Sequence, residues 1–153
     1  MKQLNKSEIS ALNSSISSVF GVEDFFSKKD RIVESDFEDK KILLRDNVPL
    51  FFYREGRLVP TLKLLLNNNF LKKVVVDMGA VKFVTNGADV MRPGITKFDD
   101  NISEHDFVAV VDATHGKPLA VCEALFSSDG IRSASGGKVL KNLHYVGDKL
   151  WQL

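Results

Sequence analysis

Apolar residues recur at helical spacing near the start of the chain. Ile9, Leu12, Ile16, Val19 and Phe20 share one face of a helix predicted over Ser7 to Phe20, and Gly21 follows where a left-handed terminal residue belongs. The opposite face is rich in Ser and Asn, which are weak helix formers, so tertiary packing has to hold this helix. The pattern then shortens. Arg31–Ser35 and Lys41–Arg45 read as strands around a Phe37–Lys40 turn, and Val48–Tyr53 reads as a third strand joined through the two-residue hairpin turn Asp46-Asn47. Pro49 predicts that this third strand starts at an edge. Arg54–Arg57 is a further turn, and Pro60 takes the first position of a helix running to about Asn67, with Leu62, Leu65 and Leu66 available for burial.

From residue 74 the texture changes. Val74-Val75-Val76 is β-branched and suits a strand buried on both faces. Asp77 is placed to cap a short helix in which Ala80, Phe83 and Val84 form an apolar stripe at i, i+3, i+4. Lys82 and Asn86 share another face, Gly87 sits at the helix exit, and Pro93-Gly94 fits the centre of a type II turn. Beyond it come short apolar runs punctuated every eight to twelve residues. Phe107–Val111 and Leu119–Phe126 flank a hairpin loop at His115–Pro118. Ser127–Gly130 and Gly136-Gly137 read as breaks, and Leu143–Val146 and Leu150–Leu153 flank Gly147-Asp148-Lys149. This spacing predicts a small barrel. The expected organisation is α+β, with one α+β unit over residues 1–73 and a β pseudo-barrel over residues 74–153, the two packed together.

Charge complicates any nucleic-acid reading. The net charge is +1; residues 1–73 hold 13 Lys/Arg against 10 Asp/Glu, and residues 74–153 hold 8 against 10. A binding site for a polyanion in the second half must therefore be a local patch, with Lys82, Arg92, Lys138 and Lys141 as candidates, set apart from the acidic cluster Asp99, Asp100, Glu104 and Asp106. No run approaches the about 20 apolar residues of a membrane span. The first residues lack the apolar core of a secretory signal, so the expected location is the cytoplasm.

Chemistry is sparse. His105, His115, His144 and Cys122 show no metal-binding spacing, and no cofactor motif is present. Cys122 lies in an apolar strand and reads as an inert buried thiol. His144 alternates with Tyr145 along a strand, leaving open a structural role or contact with a base. Gly136-Gly137-Lys138 lacks the spacing of a phosphate loop but makes a flexible basic turn. The residues alone favour a strand–helix–turn connector whose polar side chains are simply solvated.

A resemblance goes further. Asp77-Met78-Gly79-Ala80-Val81-Lys82-Phe83, Gly87-Ala88-Asp89-Val90-Met91 and Arg92-Pro93-Gly94-Ile95 resemble the opening of the PUA domain, a small RNA-binding barrel. With the ending HYVGDKLW and Pro60-Thr61-Leu62-Lys63-Leu64-Leu65 upstream, the chain resembles the malignant-T-cell-amplified-sequence family of translation factors and their archaeal relatives, which join a pre-PUA domain to a C-terminal PUA domain. The resemblance implies a non-catalytic RNA-binding protein, without cofactor or metal, engaging tRNA or rRNA on the small ribosomal subunit. It implies RNA contacts at Lys82, Thr85, Asn86, Gly87, Ala88, Arg92, Pro93 and Gly94, with Lys138 and His144 as additions. The alternative is an accessory specificity factor for tRNA or rRNA modification. A modifying enzyme in its own right ranks third, because the short first unit shows no nucleophile or cofactor constellation.

Overall fold

The computed structural model describes all residues, Met1–Leu153. The chain divides into two compact units, Met1–Leu64 and Leu65–Leu153.

The first unit is a five-stranded antiparallel sheet in sequential order with one helix. Its strands are β1 (Lys2–Gln3), β2 (Ile32–Phe37), β3 (Lys40–Arg45), β4 (Val48–Arg54) and β5 (Arg57–Pro60). The helix α1 (Lys6–Phe20) opens with a capping box: Asn5 Oδ1 accepts from Glu8 N at 2.8 Å, and Glu8 Oε1 accepts from Asn5 N at 3.0 Å. Ile9, Leu12 and Ile16 are buried, whereas Val19, expected on the same face, is 59% exposed because it falls in the last turn. Asn13 clamps the following loop by donating to Phe26 O and accepting from Phe26 N. The Phe25 ring meets Phe51 of β4 edge-on at 5.3 Å.

The β3–β4 hairpin turns at Asp46-Asn47, both with positive φ (53° and 65°), as expected of a tight primed turn. Two proline expectations fail. β4 lies between β3 and β5 rather than at an edge, and Pro49 is tolerated beside a register shift between Leu43 and Leu44. Pro60 ends strand β5 instead of starting a helix. Thr61 intervenes, its hydroxyl donating to Pro49 O at 2.8 Å, and α2 runs from Leu62 to Asn67.

The second unit is a curled six-stranded sheet: β6 (Lys72–Val76), β7 (Val90–Met91), β8 (Ile95–Phe98), β9 (Phe107–Asp112), β10 (Pro118–Ala124) and β11 (Lys138–Tyr145), in the order β7-β11-β10-β9-β6-β8. It also carries α3 (Met78–Val84), a 3₁₀ turn at Arg92–Gly94 and α4 (Ser128–Ser133). β6 runs parallel to β9, with Val76 opposite Asp112, and antiparallel to β8. Val74 and Val76 are fully buried while Val75 is only half-buried, so β6 is covered more on one face than the run of valines predicts. The core includes Val108, Val110, Ala120, Cys122, Ile131 and Leu140.

Three expectations about turns are corrected. Ser127 caps a helix, α4, rather than making a simple turn, because its hydroxyl accepts from Gly130 N. Gly94 does not take the positive φ a type II turn demands; Arg92–Gly94 is a 3₁₀ turn. Leu150–Leu153 is a turn, not a strand. Asp148 organises it by accepting from Tyr145 N and Trp151 N, while its Oδ2 lies 2.9 Å from His144 Nδ1. No helix is long and apolar enough to cross a membrane.

Burial pushes the Asp148 carboxyl up, but the hydrogen bond and charge of His144 and the two N–H groups outweigh it and hold the carboxyl below its ordinary value. Its contribution to stability is then complete above the unfolded value of about 4 and is lost as pH falls through the lower folded value. Asp148→Asn is expected to cost about 2 kcal/mol at neutral pH. The gap from wild type should close below a pH of about 4 in denaturant titrations; a gap independent of pH would exclude the carboxylate as the cause.

Candidate nucleic-acid interface

The segment after β6 is held at both ends. Asp77 Oδ1 accepts from Ala80 N at 2.9 Å, which starts α3 as the sequence predicts. The helix closes in a Schellman arrangement: Gly87 N donates to Val84 O and Ala88 N to Phe83 O. Gly87 has φ 91°, and a Cβ there would lie 2.9 Å from Tyr145 Cε1, so the position needs glycine both for its backbone and for the ring of Tyr145 against it. Asn142 of β11 fastens the same loop. Its amide donates to Val84 O at 3.1 Å and to Ala88 O at 3.0 Å, and its backbone N–H donates to Asp89 Oδ1.

This framework brings together five of the predicted contacts. Lys82, Asn86 and Ala88 are exposed, while Thr85 and Gly87 are half-buried between them. The Thr85 hydroxyl donates to Val81 O, and the Lys82 ammonium stands 5.2 Å from the centroid of the Phe83 ring. Beside the loop a cleft of about 680 Å³ is walled by Ala80, Phe83, Met91, Pro93 and Gly94. Gly94 permits close approach here, since a Cβ would come within 3.3 Å of Ala80 Cβ. At the rim Lys138 Nζ lies 3.3 Å from Asp89 Oδ2.

Two predicted contacts are engaged within the protein. Arg92 is half-buried: its Nε donates to Ile131 O at 2.6 Å and its Nη1 to Ile95 O, with the Phe98 ring 5.7 Å away. Its Nε and Nη1 donors join the 3₁₀ turn to α4 and β8. His144 is 1% exposed and engaged with Asp148. Lys138 lines the cleft but already has a carboxylate partner.

Sequence reading missed the wall of the cleft. Phe83, assigned to the buried stripe of α3, is 58% exposed, and Met91 is 50% exposed. It also missed Asn142 and Tyr145, whose importance depends on β11 passing next to residues more than fifty positions earlier. No three His, Cys, Asp or Glu side chains converge to hold a metal ion. His105 pairs with Glu123 at 2.9 Å, and complete burial pushes the Cys122 thiol far up, which keeps it protonated.

The PUA domain family matches residues 72–146. An uncharacterized protein of Methanocaldococcus jannaschii is 43% identical, over 97% of this chain and 93% of its own length. Human malignant T-cell-amplified sequence 2 is 33% identical, over 99% and 90% of the two chains. The chain belongs to the malignant-T-cell-amplified-sequence family of PUA-domain proteins. Translation machinery-associated protein 20 of Saccharomyces cerevisiae, another relative in this family, is 31% identical over 85% of this chain and 76% of its own. Among solved structures, a hypothetical protein of Pyrococcus horikoshii superimposes with a TM-score of 0.85 at 34% identity, covering 99% of this chain and 97% of the other. Membership in this family supports RNA binding in translation.

Gly87→Ala is expected to cost about 1–2 kcal/mol from the left-handed backbone alone, with a further penalty as the Tyr145 ring is displaced. Chemical denaturation of Gly87→Ala, Tyr145→Ala and the double variant separates the two. Gly87→Ala should cost less in the Tyr145→Ala background than in wild type, and an equal cost would mean the ring is not what the added methyl meets.

Proposed function

We propose that this chain is a non-catalytic RNA-binding protein of the cytoplasmic translation apparatus, engaging tRNA or small-subunit rRNA through the α3 loop and the adjoining cleft. The observation that carries the reading is the exposed cleft of a PUA domain, with an aromatic wall. An unpaired base gains stacking energy on an exposed aromatic or thioether wall, about 1–3 kcal/mol per base on aromatic side chains, and needs no base-specific code to do so. Phe83, Met91 and Pro93 offer that wall. Asn86, exposed at the helix exit, carries an amide able to meet a base edge or a 2′-hydroxyl. Lys82, with no carboxylate partner, is the nearest cation for a phosphate.

The family relationship to a protein named for the translation machinery supports the ribosomal setting. Co-sedimentation of the protein with small ribosomal subunits, followed by crosslinking and sequencing of the attached RNA, tests it. Recovery of tRNA or small-subunit rRNA is expected. Recovery of RNA bound only together with a modification enzyme would replace this reading by that of a specificity factor.

Within this reading Lys82→Ala lowers the slope of log K against log salt by about 0.7–0.9, the value of one phosphate contact. Arg92→Ala leaves the slope unchanged and lowers the melting temperature instead, because its donors hold carbonyl oxygens. Titrations of both variants with a tRNA transcript at several salt concentrations distinguish a phosphate contact from a structural one. A reduced slope in Arg92→Ala would return that residue to the RNA face. An unchanged slope in Lys82→Ala would remove Lys82 from it.

A further inference from the structure

The strand register of the second unit sorts its charges onto two ends. Val76 pairs with Asp112, Val111 with Pro118, and Ala120 with Tyr145, so the last residues of β6, β9 and β11 and the first of β10 share one end. That end carries α3, the β9–β10 loop and the turn after β11. Val146 N donates to Leu119 O, and Tyr145 lies against Gly87, which ties the three together. At the other end lie the loops 99–106 and 125–137.

The carboxylates differ between the ends. Asp77, Asp112 and Asp148 at the first end are turned inward and satisfied by backbone N–H groups. The side chains of Asp112 and Asp148 are only 7% and 16% exposed. Asp100 and Asp129 at the other end are 91% and 94% exposed. The cations differ in the opposite sense. At the second end Lys72 is paired with Asp106 and Arg132 with Asp100 and Asp129, which leaves Lys73 as the one exposed cation there without a carboxylate partner. Lys82, Lys117 and Lys149 at the first end are exposed and have no ion-pair partner.

We infer that the phosphate-binding surface extends beyond the α3 loop, across the tip of the β9–β10 hairpin to the closing turn, with Lys117 and Lys149 as contacts alongside Lys82. This rests on the RNA reading proposed above and names residues beyond the RNA contacts that the resemblance implies. The four strand ends span about 14 Å at ordinary strand spacing, so a continuous stretch of backbone lies across the end rather than a single phosphate at one lysine. The hairpin tip is suited to the task because Asp112 orders it from within, accepting from Thr114 N and His115 N, which leaves Lys117 exposed on a fixed loop. The arrangement also accounts for how a unit with no net charge presents a cationic end: its carboxylates there serve the backbone, and its exposed carboxylates face elsewhere.

The test is titration of the full chain with a tRNA transcript over a series of KCl concentrations. Four proteins are compared: wild type, Lys82→Ala, Lys117→Ala/Lys149→Ala, and Lys73→Ala/Lys97→Ala, which removes the same charge as the Lys117/Lys149 pair from the exposed positions Lys73 and Lys97 on β6 and β8. The Lys117/Lys149 variant is expected to lose about 1.4–1.8 in the slope of log K against log salt, two contacts' worth, with an unchanged melting temperature; the Lys73/Lys97 variant keeps the wild-type slope. An unchanged slope in Lys117→Ala/Lys149→Ala, while Lys82→Ala lowers it, would confine the surface to the α3 loop and overturn the inference alone. Equal losses in both double variants would show a general charge effect and overturn it as well. Absence of salt-dependent RNA binding in wild type would remove the RNA reading and the inference together.

Discussion

The second unit depends on the parallel pairing of β6 with β9. Antiparallel neighbours are joined by a tight turn, but a parallel pair requires the chain to leave one strand at its end and return to the start of the other. Here the return path holds α3, the Gly87 loop, β7, the 3₁₀ turn, β8 and the acidic loop, thirty residues from Asp77 to Asp106. Burial of Val74 and Val76 on β6 fixes where that path begins, and β9, with all six residues buried, fixes where it ends. The candidate interface is the part of the crossover that stays outside the barrel. It is ordered because both ends are fastened to the sheet: Asp77 N donates to Gly94 O at 2.9 Å, and Asn142 and Tyr145 of β11 hold the loop at its far side.

Formal charge is a poor guide to such a unit because most of its carboxylates are structural. Asp77 starts a helix, Asp112 orders a hairpin, Asp148 closes the chain end, and Asp106 pairs with Lys72. Asp112 shows the compensation and the cost: the N–H of His115, with that of Thr114, holds its carboxyl below its ordinary value against the burial that would raise it. A carboxylate used this way remains charged yet presents little of its charge to a ligand. The lysines left without partners, rather than the sum over the sequence, set the field that an approaching polyanion meets.

Local signals were read correctly where the chemistry is local. The left-handed exit at Gly21, the Asp46-Asn47 hairpin, the Asp77 cap and the Gly87 exit all follow from a few adjacent residues. Proline misled twice because its constraint is negative. Pro49 and Pro60 forbid a hydrogen bond or fix a dihedral, and a register shift or a strand end satisfies that as well as an edge or a helix start. Pro93-Gly94 failed for a related reason: the glycine serves the close approach of Ala80, not a positive φ. Of the site, the loop Lys82–Ala88 was legible, since helix phase and capping place it. Arg92 and His144 were not. Whether an arginine faces solvent or two carbonyl groups is decided by α4, some forty residues on, and the orientation of His144 is decided by a carboxylate in the turn that follows it.

Phe83 is the most telling disagreement between pattern and structure. At i+3 from Ala80 and i−1 from Val84 it belongs to the stripe that amphipathic spacing buries, yet only Val84 is fully covered. The helix is seven residues long and curls over the end of the barrel, so its apolar stripe is wider than the surface available to receive it. The surplus falls on Phe83, with Met91 across the cleft, and leaves apolar area in water at about 25 cal/mol per Å². That area is in water in the unfolded chain as well, so it adds nothing to the stability of the fold. Under the RNA reading the area becomes a stacking wall next to lysines that have no internal partner, and the departure from the burial pattern lies where sequences are expected to break local rules.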